Sequence, residues 1–209
     1  SILTLMVAMP LTIIIARLKN FWRSTWVVLL LTSLALSEVL TAYAWQIILS
    51  KSSGLPGWLE RLGLLTDANS WWPGFPAMLL VLVYFSIPIA MVMLLPPLSR
   101  MDGSLSDTAR MMGFSKIEVF WRVTLPVLRR PIFQTGLLLF LLNSGGFVIS
   151  QQLGRPSDWM FSVFIADFMR SFNVPFAVAL ALCLLLTVVV LVGVTYLAFG
   201  REGANSRDV

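Results

Sequence analysis

Histidine is absent from all 209 residues. Reactions that need an imidazole base, and metal sites ligated by histidine, are thereby excluded. Cysteine is reduced to Cys183, inside an apolar run, so no disulfide closes within the chain and the redox compartment is unreadable. Charge is scarce too: Asp, Glu, Lys and Arg make up 12% of the sequence, against roughly a quarter in soluble domains. No glycine-rich loop ending in Gly-Lys-Ser/Thr occurs, so if ATP drives this protein, another chain binds it. No catalytic residue and no metal site is expected.

What is abundant is apolar side chain, 58% of the sequence, with a mean hydropathy of +0.87. The fold class this implies is an all-α polytopic transmembrane helix bundle, with residues 1–209 forming a single transmembrane domain. The net charge of +5 does not point to nucleic acid, because the basic residues flank apolar runs instead of lining one face. Five runs are expected to cross the membrane: Ser1 to Ala16, Thr25 to Leu49, Pro76 to Leu95, Ile132 to Ser150 and Val174 to Phe199. The first is about 24 Å long as a helix, short of the ~30 Å hydrocarbon core. It has no starting Met and no basic n-region, which argues against a signal peptide and for a segment preceding Ser1.

The loops between the runs carry three, two, six and two Lys or Arg residues in order. The positive-inside rule puts the first and third loops in the cytoplasm, the start of the chain outside and Arg201 to Val209 inside. Trp22, Trp26 and Trp121 then mark the inner interface, and Trp58, Trp71, Trp72 and Trp159 the outer one. In the second loop Leu55 to Leu65 reads as a short interfacial helix, with Trp58, Leu59 and Leu62 down and Glu60 and Arg61 up.

The third loop, residues 100–130, holds the densest charge. Ser106 caps a short helix through Met112, with Asp107 at its positive end, and Gly113 ends it. Ser115 and Glu118 then form a capping box, and Ile117, Phe120, Trp121 and Leu125 fall at helical spacing until Pro126 closes or kinks the helix. An amphipathic segment lying on the membrane surface would account for this much.

The spacing says more. An acid at Asp107, a small residue at Ala109, Gly113 six after the acid, then Val123, Leu125 and Pro126 resemble the EAA loop of permease subunits of binding-protein-dependent ABC importers. The family pattern is Glu-Ala-Ala, three residues, Gly, nine residues, an aliphatic residue, one residue, then Leu-Pro, and both intervals match without a gap. Asp107 stands where Glu is usual and Thr108 where Ala is usual. Beyond the loop, the stretch SEVLTAYAWQIIL, the Gly-Leu-rich second loop and the Gly-Gly break before Gln151 to Gly154 are similar to the polyamine (spermidine/putrescine) branch. Permeases of that branch have six spans, which implies a sixth before Ser1.

The resemblance implies a transport subunit in a bacterial inner membrane that catalyses no covalent reaction itself. It implies a second, different permease chain, two ATP-binding subunits that hold ATP and Mg, and a periplasmic solute-binding protein. Asp107, Thr108, Ala109, Arg110, Gly113, Leu125 and Pro126 are the implied ATPase-coupling residues. The mechanism implied is alternating access, with the Asp107 to Met112 helix as a lever.

Two clusters are candidates for the solute path. Glu38 is the one residue of formal charge deep within an expected span, with Thr41 and Trp45 on its helical face. An acid beside an aromatic ring suits an ammonium group. The alternative is a carboxylate satisfied by a neighbouring helix or subunit. The second cluster is Asn143 and Ser144 before the Gly145-Gly146 pair, followed by Ser150, Gln151 and Gln152. Paired glycines interrupt a membrane helix where it lines a path, or else let helices pack closely. The polyamine branch often has an acid near the position of Gly146, and this chain has none. An ion-coupled secondary transporter using Glu38 is the alternative function; it explains the acid but not the loop spacing. An intramembrane lipid-modifying enzyme fits poorly, because clustered membrane-edge carboxylates are lacking.

Overall fold

The computed structural model describes residues 1–16, 18–52, 54–63, 71–101, 111 and 113–204. Regular structure among them is helical: α1 Ile2–Ala16, α2 Asn20–Ala35, α3 Glu38–Leu49, α4 Leu55–Arg61, α5 Phe75–Ser99, α6 Lys116–Val119, a π-helical turn Phe120–Thr124, α7 Leu125–Gly145, α8 Val148–Leu153, a 3-10 turn Pro156–Asp158, α9 Phe161–Arg170 and α10 Val174–Ala204. Three stretches, Phe75–Ser99, Leu125–Gly145 and Val174–Thr195, are long and apolar enough to cross a membrane. Phe21–Ala35 and Glu38–Leu49 qualify only together, giving up to four spans, and Ile2–Ala16 is shorter. The chain is a multi-pass helical membrane protein, with fewer full-length spans among the described residues than the five expected.

Two of the expected runs make the difference: Ile2–Ala16 is shorter than a full span, and Thr25 to Leu49 is broken. Ser37 adopts an extended backbone (φ −60°, ψ 129°), and a new helix starts at Glu38. Apolar composition continues across this point, so hydropathy alone misses the break. The expected Ile132 to Ser150 run is also interrupted: α7 ends at Gly145 and α8 begins at Val148.

The chain packs as two units. The first comprises Ser1–Ala35 and Phe85–Leu139. Its core is Ala8, Ile15, Leu30, Ala90, Met91 and Leu139, with Leu5, Ile87 and Leu95 packed against it. α1 turns the stripe Thr4, Ala8, Thr12 and Ile15 inward at helical spacing. Small side chains suit close contact between helices in a bilayer, where burial of apolar area gives no advantage over lipid. The Thr12 hydroxyl donates to the Ala8 carbonyl at 2.7 Å, so it is satisfied within its own helix. At Gly136 in α7 an added Cβ would lie 3.0 Å from Leu5 Cδ1, showing how closely α1 approaches.

The second unit comprises Leu36–Tyr84 and Phe140–Val209. Leu49, Val81, Ile149, Leu153 and Val163 are fully buried in it. By contrast Leu182, Leu185, Leu186, Val189 and Val190 of α10 are more than half exposed, as side chains facing lipid are. α9 has its apolar residues on one side, with Val163 buried, and Phe168 stacks edge-on against Phe176 of α10 at 4.6 Å. This helix lies in what the sequence reads only as a loop.

Candidate functional site

After Met111 the described part of the third loop resumes at Gly113, whose φ of +88° is a backbone conformation that suits glycine. Asp107, Thr108, Ala109 and Arg110, and all but Met111 of the helix expected from Ser106 to Met112, lie outside the described residues. The capping box forms as read. The Ser115 N–H donates to Glu118 Oε2 at 2.9 Å, and the Glu118 N–H donates to Ser115 Oγ at 3.3 Å. These bonds to the ionised form hold the Glu118 carboxyl below its ordinary range, with a smaller contribution from the Arg122 charge. The Arg122 guanidinium lies over the Phe114 ring, 5.2 Å from its centre, and joins the turn after Gly113 to the next helix.

Pro126 does not close that helix. The backbone runs helically from Lys116 to Gly145, widened to a π turn over Phe120–Thr124, where the Leu125 N–H reaches the Phe120 carbonyl. Pro126 has no N–H, so a regular α register would leave the Arg122 carbonyl without its donor. The chain widens immediately before the proline. Leu125 and Pro126 therefore open the long helix α7.

In the second unit, Glu38 stands in the first turn of α3, with Ser37 preceding it. It is half-buried and has no ion pair among the described residues. The positive end of the α3 dipole favours its charge there, a cheaper setting than the middle of a continuous span. The Thr41 hydroxyl donates back to the Ser37 carbonyl at 3.0 Å. Trp45 packs edge-on against Tyr84, with centroids 5.2 Å apart.

The next residue supplies a contact invisible in the sequence pattern. Gln46 Nε2 donates to the Gln152 carbonyl at 2.6 Å and to Gln152 Oε1 at 3.1 Å. Trp72 Nε1 donates to the same carbonyl at 2.8 Å. Two donors on one backbone oxygen tie α3, the segment before α5 and the end of α8 together. The Gly74 N–H to the Leu153 carbonyl at 3.0 Å and Arg155 Nε to the Pro73 carbonyl at 2.9 Å continue the seam.

The glycine-rich cluster forms an interrupted helix. The Gly146 N–H turns back to the Asn143 carbonyl at 3.1 Å, and the Ser144 hydroxyl bonds the Phe140 carbonyl at 2.8 Å. Ser162 Oγ donates to the Gly146 carbonyl at 3.3 Å, satisfying a backbone group that the break frees. Ser150 is fully buried, and its Oγ accepts the Met160 N–H at 2.9 Å. Gln151 and Gln152 are half-buried at the same level of α8. Trp159 Nε1 is buried without a hydrogen-bond partner among the described residues.

Comparison with known proteins bears on both regions. The pattern of the family described as "Binding-protein-dependent transport system inner membrane component" matches residues 8–201. The chain is 24% identical over 198 residues to the spermidine/putrescine transport system permease protein PotB of Escherichia coli K12, covering 94% of this chain and 70% of that protein. It is 24% identical over 157 residues to a spermidine/putrescine transport system permease protein PotC homolog of Mycoplasma genitalium, covering 72% of this chain and 50% of the relative. A probable ABC transporter permease protein of Brucella abortus is 28% identical over 163 residues, 74% of this chain and 55% of that protein. The chain thus spans between half and 70% of the length of these relatives.

Proposed function

Because the chain belongs to the family of binding-protein-dependent transport system inner membrane components, we propose that it forms the translocation path of an ATP-driven importer for a small amine solute of the polyamine kind. The observation that carries this reading is the family match running through the third loop, whose intervals fit an ATPase-coupling loop. The named relatives are spermidine/putrescine permeases, which supports an amine solute.

In this reading the subunit sits in a bacterial inner membrane beside a second permease chain. Two partner ATPases bind ATP and Mg, and a periplasmic protein delivers the solute. Asp107, Thr108, Ala109 and Arg110 contact the ATPase. Gly113 sets the angle at which their segment meets α6, and Leu125 and Pro126 pass the motion into α7. On the solute side, Glu38 supplies a carboxylate unpaired among the described residues, with Thr41 and Trp45 beyond it on α3. Asn143, Ser144 and Gln151 flank the helix break, where backbone at membrane depth is tolerated if it lines a path. Ser150 contributes by holding Met160, which fixes how α8 turns into the next segment.

The test is uptake of labelled spermidine into sealed vesicles containing this chain with its ATPase, permease and binding-protein partners. Uptake should require ATP inside the ATPase compartment and the binding protein outside. Uptake driven by an ion gradient without ATP would instead establish an ion-coupled carrier.

A further inference from the structure

The surface segment between α3 and α5 carries charges and apolar side chains that the transport reading does not use. α3 ends at Leu49 and α4 follows after a turn in which the Gly54 N–H bonds the Ser50 carbonyl at 3.1 Å. The turn is pressed against the end of α3. A Cβ at Gly54 would collide with the Ile48 carbonyl oxygen, and one at Gly57 with that of Lys51. α4 is thereby held in place, with Pro56 and Gly57 buried and Leu55, Trp58 and Leu62 exposed by 50%, 63% and 68%.

The same segment holds a recess of about 470 Å³ lined by Lys51, Ser52, Gly57, Glu60 and Arg61, on the side of α4 away from the exposed Leu55, Trp58 and Leu62. It gathers two cations and one carboxylate, and no ion pair among the described residues neutralises Lys51, Glu60 or Arg61. α5 is long and apolar enough to span a membrane and α3 qualifies together with α2, so the polar segment that joins them suits a membrane surface. Exposed Trp and Leu at that level suit the headgroup and upper acyl region.

We infer that the recess binds the headgroup of a membrane phospholipid, with Lys51 and Arg61 on the phosphate, Glu60 on the ammonium of an ethanolamine headgroup, and Leu55, Trp58 and Leu62 among the acyl chains. A net positive recess with one acid matches a phosphate that carries an adjacent amine better than it matches a free anion. The neighbouring apolar side chains give a soluble phosphate nothing to bind. The inference is independent of the solute and of ATP coupling.

The test uses the full chain, purified in mild detergent and titrated with phosphatidylethanolamine, phosphatidylglycerol or phosphatidylcholine, with bound lipid counted by native mass spectrometry. Phosphatidylethanolamine should bind tightest. Lys51→Gln with Arg61→Gln should weaken it roughly tenfold, in line with the attraction of a surface cation to a lipid phosphate. Lys51→Arg with Arg61→Lys should retain binding, and Glu60→Gln should narrow the preference over phosphatidylglycerol. Trp58→Ala, which leaves the charges in place, should weaken lipid binding by itself and gives a second arm if the double variant misfolds. Undiminished lipid binding by both the Lys51→Gln/Arg61→Gln and Trp58→Ala variants would overturn the inference. So would displacement of the lipid by glycerophosphoethanolamine at equal concentration, which would make the recess a soluble-phosphate site.

Discussion

Ser115 and Glu118 hold each other's backbone N–H groups, at 2.9 and 3.3 Å, and close the first turn of the helix that leads into α7. Ser115→Ala removes one of the two bonds. Amide exchange over Lys116 to Val119 should quicken roughly fivefold, the size expected for loss of one N-cap. Unchanged exchange would show that packing alone holds the turn.

The same pair predicts a pH dependence. The folded Glu118 carboxyl titrates below its unfolded value, chiefly through the bonds to Ser115. Its stabilisation is therefore complete above the unfolded carboxylate value and is lost as the pH falls through the lowered one. Exchange protection of this turn should fall on acidification in the wild type and be flatter in Glu118→Gln. A wild-type profile matching that of the variant would remove the carboxylate from the account.

Gly113 gives a prediction about coupling. Its φ is +88°, yet a Cβ there meets no atom within 4 Å, so the penalty for a side chain is backbone strain and not a clash. Gly113→Val should cost about 1 kcal/mol or more in this turn, whereas Gly113→Asn, which tolerates that φ, should cost less. In the assembled importer, Val should lower ATPase copurification or uptake per ATP more than Asn does. Ala109→Asp should act in the same direction at the docking contact. Equal, normal values for all three variants would reduce the loop to a surface segment.

The shared acceptor at Gln152 predicts non-additivity. Gln46→Leu or Trp72→Phe each leaves the Gln152 carbonyl one donor, so each should cost about 1 kcal/mol. Together they strip the carbonyl of both side-chain donors, and the double variant should lose more than the sum, by about 0.5 kcal/mol or more. Thermal unfolding of the four proteins in one detergent measures the cycle; strict additivity would mean that another donor takes over.

Glu38→Gln preserves shape and hydrogen bonding while removing charge. If Glu38 receives an ammonium group, uptake of a divalent amine should fall roughly tenfold, as for loss of a charge-assisted contact, with assembly unaffected. Failure to assemble would assign the acid to packing instead.

Local signals in this sequence translate well. The capping box at Ser115, the positive φ at Gly113 and the start of α4 before Trp58 are each set by chemistry within four residues, and the structure has all three. Hydropathy misses the break within Thr25 to Leu49 because nothing apolar changes there. Its one clue is Ser37 followed by Glu38, a helix-start signature inside an apolar run. α9 escapes notice because it is short, although Phe161, Phe164, Ile165 and Phe168 already fall at helical spacing. The Gln46 to Gln152 contact joins positions 106 residues apart and has no local signal at all.

The π turn at Phe120–Thr124 has a consequence for chain length. A π turn is an α-helical turn holding one additional residue, and one residue corresponds to about 100° of rotation around a helix. Deleting one residue between Val119 and Leu125 would therefore keep an unbroken helix but present the preceding segment on a different side of it. The number of residues in this turn thus sets the side from which the segment before α6 enters the helix, independently of the register of α7.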